Sequence, residues 1–333
     1  MNMNQWIQEY IENPVKRPMP VLSFPGHQIT GCTVEELVKD GHLQALCMKA
    51  IAERFETGAA FSLMDLSVEA EAFGSSVIYS DKEVPTVDRP LIHSEEEARD
   101  LEVPQVGAGR TGACVEGIRE ASQLIKDRPV LAGIIGPFSL AGRLTDMTEI
   151  MYLCFDEPDM VECLLEKASE FLIQYGKAFK DAGADGICMA EPAAGLLSPE
   201  LFQEFSAPYV KKIMEALEDD DFLVMYHNCG NVRPLIGLVG ELGSRAYSLG
   251  NIVDMEKMIP SLPEEAVIMG NVDPAGIICQ GTPEIVREET LKLLEKCGKY
   301  KNFVLSSGCD IPPQSPMENI QAFFDAAAEF YGN

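Results

Sequence analysis

Eight short apolar runs recur along the chain, each closed by Gly, Pro or a polar residue. They are Pro20–Phe24, Ala59–Asp65, Pro129–Pro137, Gly186–Glu191, Phe222–His227, Ala246–Gly250, Ala266–Asn271 and Phe303–Ser307. Runs of this length with both faces apolar suit parallel strands covered on both sides. Between them lie charge-rich, amphipathic stretches of helical length: Val34–Thr57, Ser94–Leu101, Gly112–Lys126, Pro158–Ala182, Pro199–Leu217, Pro283–Cys297 and Pro316–Tyr331. Ser198-Pro199-Glu200, Thr282-Pro283-Glu284 and Ser315-Pro316-Met317-Glu318 each set a proline at the first helical position behind a capping hydroxyl. The alternation predicts one α/β domain over residues 1–333, a (β/α)8 TIM barrel. An open doubly wound sheet is the runner-up, and the absence of an obvious reversal point argues against it. The connection from Leu66 to Asp127, carrying Val84-Pro85-Thr86-Val87-Asp88-Arg89-Pro90, is too long for a simple βα unit. It predicts an insertion after strand two, lying over the barrel mouth.

Composition narrows the partners. The 333 residues are 46% hydrophobic, enough for a large core. Lys plus Arg total 26 against 53 Asp plus Glu, and a formal charge of −27 repels nucleic acid and anionic membrane surfaces. The opening Met1-Asn2-Met3-Asn4-Gln5-Trp6 has neither the basic segment nor the apolar core of a signal peptide, and no apolar stretch is long enough to span a bilayer. A cytoplasmic protein is expected. Its ten cysteines are scattered rather than densely spaced, so most are expected to be reduced, buried hydrophobes.

Three of the soft side chains stand apart from that expectation. His227 closes the fifth run and Cys229 follows it, and Cys309 follows the eighth, 80 positions on (309 minus 229). In a parallel barrel the carboxyl ends of the strands share one mouth, so these residues converge there as a zinc site of one imidazole and two thiolates. Glu191, at the end of the fourth run, is the candidate fourth, displaceable oxygen ligand, and equally a carboxylate that binds substrate or an arginine. Asp65 and Glu69 lie at and past the end of the second run, and Asn271 and Asp273 at and past the end of the seventh, which brings them to the same cavity, Asp65 with Glu191 as candidate catalytic carboxylates and Asn271 and Asp273 as candidate substrate-binding residues. Two thiolates donate charge to zinc and make it a poor generator of hydroxide, which disfavours hydrolysis. A substrate thiol held in an open position and stripped of its proton is the better match, with alkyl transfer to sulfur as the outcome.

The chain resembles the uroporphyrinogen decarboxylase superfamily over nearly its full length. The resemblance rests on Ile135-Gly136-Pro137-Phe138-Ser139-Leu140-Ala141-Gly142, Ala182-Gly183-Ala184-Asp185-Gly186, Leu197-Ser198-Pro199-Glu200-Leu201-Phe202 with Ala207-Pro208-Tyr209, and Gly270-Asn271-Val272-Asp273-Pro274. Leu305-Ser306-Ser307-Gly308-Cys309-Asp310-Ile311-Pro312 and Pro316-Met317-Glu318-Asn319-Ile320 extend it to the carboxyl end. That superfamily is a (β/α)8 barrel. The His-x-Cys with its distant Cys resembles the cobamide-dependent methyltransferase branch, which implies His227, Cys229 and Cys309 as zinc ligands. It also implies a thiol as methyl acceptor and a corrinoid carried on a separate protein. A small methyl donor, with methyl moving to the corrinoid, is the reverse direction of the same chemistry.

Alternatives remain beside this one. The decarboxylase branch carries an arginine-rich segment after strand one, where this chain has Ser23-Phe24-Pro25-Gly26-His27-Gln28. Cobalamin-independent methionine synthase shares the soft ligands and a Glu some 22 residues after the first Cys, where Asn251 stands here. A non-catalytic zinc-containing binding barrel is a third reading. Arg110 and Arg143, near predicted loops, are candidates to grip an anionic substrate tail, with ion pairing as the competing role. Gly107-Ala108-Gly109-Arg110-Thr111-Gly112 reads as a loop opening a helix rather than a dinucleotide site, because no first strand precedes it. Asp40-Gly41-His42-Leu43-Gln44-Ala45 lacks the glycine of a corrinoid-carrier motif and reads as surface helix, so any corrinoid arrives on a partner.

Overall fold

The computed structural model describes residues 1–332. Its strands are β1 (Ala60–Phe61), β2 (Val77–Ile78), β3 (Thr86–Val87), β4 (Val130–Ile135), β5 (Gly186–Ala190), β6 (Leu223–Asn228), β7 (Ala246–Leu249), β8 (Val267–Val272) and β9 (Phe303–Ser307). Seven of them form one parallel sheet in the order β1-β4-β5-β6-β7-β8-β9, and β2 and β3 make a separate antiparallel ribbon. The sheet is curled in the manner of a TIM barrel.

Side-chain alternation along the strands divides the core in two. Phe61, Leu131, Cys188, Ala190, Leu223, Met225, Ala246, Val267, Met269 and Val304 pack together on the concave face. The residues between them, such as Ile187, Met189, Val224, Tyr226, Tyr247, Ile268 and Leu305, pack under the helices. The amino-terminal helix Met3–Glu12, which the pattern of runs does not announce, sends Met3 and Ile7 into the concave cluster. Asn2 caps its start, and Lys16 Nζ donates to the carbonyls of Tyr10, Ile11 and Asn13 at its end.

The first apolar run departs from its expected state. Pro20–Phe24 forms no strand among the described residues. Pro18 and Pro20 have no N–H to donate, so the ladder is broken where it would begin. Met19 N–H still donates to Leu305 O at 2.9 Å and Gly58 N–H to Pro18 O at 2.8 Å, but Val21 N–H goes to the Ser307 hydroxyl at 3.1 Å instead of a carbonyl.

Two predicted helices are also divided. Val34–Thr57 splits into Val34–Lys39 and Gly41–Arg54, because Asp40 turns to an extended conformation and caps the second helix through Leu43 N–H. Pro199–Leu217 breaks at Ser206, and Pro208 opens the second part. The connection from Leu66 to Asp127 holds the helix Val68–Ala72, the β2–β3 ribbon and the helices Glu95–Asp100 and Thr111–Leu124. Gly41 lets Thr111–Leu124 lie directly on Gly41–Arg54, since a Cβ there would stand 2.5 Å from Ala113 O. Among the described residues no helix is long and apolar enough to cross a membrane.

Candidate metal centre

His227 lies on the concave parity of β6, two and four residues beyond Met225 and Leu223. Parallel pairing with β7 sets Ser248 beside it, and His227 Nδ1 hydrogen-bonds the Ser248 hydroxyl at 2.9 Å. The other ring nitrogen, Nε2, is buried without any hydrogen-bond partner. Buried polar atoms are seldom left so unless something else meets them. Cys229 follows at the same parity just past the strand end, and Cys309 arrives from the turn after β9. The ligand atoms of His227, Cys229 and Cys309 all lie within 4.8 Å of one another, the one such group among the described residues. A hydrogen bond from the Cys309 thiol holds Cys229 below the usual thiol range, and the same sharing, with burial, pushes Cys309 up. One unpartnered imidazole nitrogen and two adjoining thiols, with the Ser248 hydroxyl supporting the ring from behind, fit a zinc ion.

The structure does not bring Glu191 into this group. Cys188 and Ala190 face the concave side, so Glu191, one residue on, turns to the opposite one. There its carboxylate accepts from Phe138 N–H at 2.9 Å, from Ser139 N–H at 2.6 Å and from the Ser139 hydroxyl. These are the free N–H groups at the start of the helix Pro137–Thr145. Gly136 makes room for the carboxylate, because a Cβ there would meet Glu191 Cδ at 2.6 Å. Burial raises the Glu191 carboxyl to about 7 against these bonds.

Asp65 and Arg110 meet each other rather than an open cavity. Arg110 pairs with Asp65 through Nη1 and with Glu71 through Nε at 2.6 Å, and Nη2 donates to Ser67 Oγ at 2.8 Å. The glycine motif around it is the loop that opens the helix Thr111–Leu124, as its sequence suggests. Glu69 is buried beside this network. One carboxylate oxygen accepts Ile135 N–H at 3.0 Å and the other has no partner, and burial pushes the carboxyl up to about 7. Arg143 is half-buried and makes no ion pair or side-chain hydrogen bond among the described residues. Burial lowers its pKa, and the nearby charge of Asp65 works against that.

Asn271 and Asp273 are not part of the soft ligand group. Asn271 Nδ2 donates to Gly250 O at 2.7 Å and Val253 O at 2.8 Å, pinning the loop after β7. Asp273 caps the following helical turn through Ala275 and Gly276 N–H. Both line a cleft of about 350 Å³ together with Asn251, Lys292 and Lys296, and none of the three soft ligands lines it. His42 sits on an exposed helix face and pairs with Glu120 at 2.8 Å, as a surface-helix residue. Ser248, Ser139 and Asp310 adjoin these groups, and nothing in their residue types marks such a place in the sequence. Asp310 follows Cys309, receives the Ser23 hydroxyl at 3.3 Å, and is held well above the usual carboxyl range by burial.

Residues 15–330 match the family model described as uroporphyrinogen decarboxylase (URO-D). The chain belongs to the uroporphyrinogen decarboxylase family. Within the family it is 31% identical over 333 aligned positions to the methylcobamide:CoM methyltransferase MtbA of Methanosarcina acetivorans, covering 96% of this chain and 95% of that one. It is 27% identical to the uroporphyrinogen decarboxylase of Psychromonas ingrahamii, over 83% of this chain and 80% of that protein. A solved methyltransferase from Methanosarcina mazei superposes with a TM-score of 0.86 at 26% identity, covering 99% of this chain and 98% of its own. This family member therefore matches proteins named for both chemistries along most of its length.

Proposed function

We propose that this chain is a zinc-dependent methyltransferase of a corrinoid pathway. It moves a methyl group between a corrinoid on a separate protein and a zinc-activated thiol or small methyl-donor substrate. The observation that carries the reading is the group His227, Cys229 and Cys309, with Nε2 of His227 buried and unpartnered. Zinc, when bound, supplies a Lewis-acidic centre that favours the thiolate form of a substrate thiol. The chain's own residues do the rest. His227 and the two cysteines hold the ion, and Ser248 fixes the imidazole. Glu191 acts at one remove from the ion, by ordering the start of the helix Pro137–Thr145, and Asp65 by holding Arg110 in place. On that helix Arg143 is the unpaired cation available to an anionic substrate tail. In this reading the extended segment beside β9 serves as the eighth stave of a closed barrel.

The decarboxylase relatives favour a second reading, loss of CO2 from a polyanionic tetrapyrrole. It asks for several free cations at the mouth. Arg110 is neutralised by Asp65 and Glu71, and His27 and Gln28 are tied to Pro313 O in the loop after β9. That reading also leaves the soft ligand group without a role.

The test is zinc content with X-ray absorption at the zinc edge, with and without a small thiol such as coenzyme M. One zinc per chain with about two sulfur neighbours, rising to about three with thiol, is expected. A site closed by four protein ligands and indifferent to thiol would overturn the proposal and favour a binding barrel.

A further inference from the structure

We infer that Cys32 and Cys47 form an oxidisable dithiol, a modification site for hydrogen peroxide, whose disulfide fastens the segment of residues 23–33 to the helix Gly41–Arg54. Thr30 Oγ1 stands 3.3 Å from Cys32 Sγ and 3.2 Å from Cys47 Sγ, so one hydroxyl holds both sulfurs on the same side of the segment. Nothing needs to travel far for the bond to form, because the backbone already rests on Cys47: a Cβ at Gly26 would be 3.0 Å from Cys47 Cβ. Cys32 has room to adjust. It follows Gly31, whose left-handed φ of 80° ends the short helix His27–Thr30, and a Cβ at Gly31 would meet nothing within 4 Å.

The two sulfurs differ in exposure, which sets the order of events. Cys32 is half-buried behind the exposed Thr30 and Gly31, whereas Cys47 is 1% exposed. Cys32, the more accessible sulfur, therefore meets the oxidant first, and burial, the largest cause, raises the Cys47 thiol above its ordinary value. The Cys32 sulfur attacks one peroxide oxygen, the O–O bond breaks, and one water leaves with a sulfenic acid formed. The Cys47 sulfur then attacks Cys32, forming S–S and breaking S–O, and its proton departs with the hydroxyl as a second water. The two cysteines together lose two electrons and peroxide gains two.

The segment so fastened braces the loop that carries Cys309. Ser23 Oγ donates to Asp310 at 3.3 Å, His27 Nε2 lies 3.1 Å from Pro313 O, and Gln28 Nε2 donates to Pro313 O at 2.7 Å and Ser315 O at 2.9 Å. Oxidation therefore stiffens one wall of the metal centre. An effect on turnover rests on the methyltransferase reading; the disulfide does not.

The experiment treats the zinc-loaded full chain with graded hydrogen peroxide, alkylates the remaining thiols and maps the peptides by mass spectrometry. A Cys32–Cys47 linked peptide is expected before any other cysteine pair, disappearing on reduction. Proteolytic nicking within residues 27–40 is expected to slow several-fold in the oxidised form. Cys32→Ser, at the less buried position, abolishes both changes. Cys32 recovered as sulfinic acid with Cys47 still free, or both thiols alkylated after other cysteines have oxidised, would overturn the inference. Mapping on the unsubstituted chain gives the answer even if a variant folds poorly, and it is independent of whether methyl transfer is observed.

Discussion

Ser248→Ala separates the support of the proposed metal ligand His227 from the ligand itself. Register places Ser248 directly beside His227, with its hydroxyl 2.9 Å from Nδ1, and the two residues are 0% and 1% exposed. With Nδ1–H donating to that oxygen, Nε2 presents a lone pair to the space shared with Cys229 and Cys309. Alanine removes one atom and leaves Nδ1–H without an acceptor in a site closed to water, at a cost of about 1–3 kcal/mol to the fold. The imidazole also loses the contact that sets its rotation and tautomer. Groups in this position contribute about 10–100-fold to metal affinity, or about 1.4–2.8 kcal/mol. Zinc affinity is measured by competition with a chromogenic chelator, and the metal-free fold by urea unfolding. Ser248→Ala is expected to weaken zinc by about 10–100-fold, and Ser248→Thr, which keeps the hydroxyl, to recover most of that loss. Unchanged affinity in Ser248→Ala, in a protein that loses zinc on Cys229→Ala, would refute the assignment of Nε2 as the ligand atom.

Cys229→Ala and Cys309→Ala should each abolish stoichiometric zinc while leaving the circular dichroism of the fold unchanged, because both lie past strand ends; full zinc retention in either would exclude it as a ligand. Gly41→Ala forces a Cβ to within 2.5 Å of Ala113 O and 2.9 Å of Gly117 N, so the two helices must part, and urea unfolding should report a loss of about 1–3 kcal/mol. Glu69 and Glu191 both rise from 4.5 to about 7 through burial. Their native forms hold protons that the unfolded chain has released, so stability is full below pH 4.5 and is lost as pH rises through 7, by at most about 3 kcal/mol per group. The urea midpoint should fall between pH 5 and 8, Glu69→Gln should flatten that fall, and a rising midpoint in the wild type would contradict the burial argument. Arg143→Gln should raise KM for an anionic thiol about tenfold, an effect of the size lost with one charge-assisted hydrogen bond, without altering zinc content; an equal rise for a neutral thiol would show that the cation does not read the tail.

The convergence of His227, Cys229 and Cys309 was legible in the sequence because these soft side chains sit at or just past the ends of two apolar runs. A strand's direction brings such positions to one end of a parallel sheet whatever the packing around them. Glu191 met the same criterion, and the structure sends its carboxylate to the start of a helix instead. Apolar runs buried on both faces announce a strand but conceal its parity, since no alternation of polar and apolar residues marks the concave side. Parity is set here by contacts across the sheet, with Ala190 level with His227 and Glu191 one residue beyond. The pairing of Arg110 with Asp65 and Glu71, 45 and 39 residues away, is long-range in the same sense. The first apolar run differs, because Pro18 and Pro20 stood in the sequence and their missing N–H groups forbid a regular ladder. Ser248 shows how the two kinds of information join. It is an ordinary serine until β6 and β7 are aligned, and then its hydroxyl is the atom that turns His227 toward the two cysteines. Donor chemistry selects the candidates, and register selects among them.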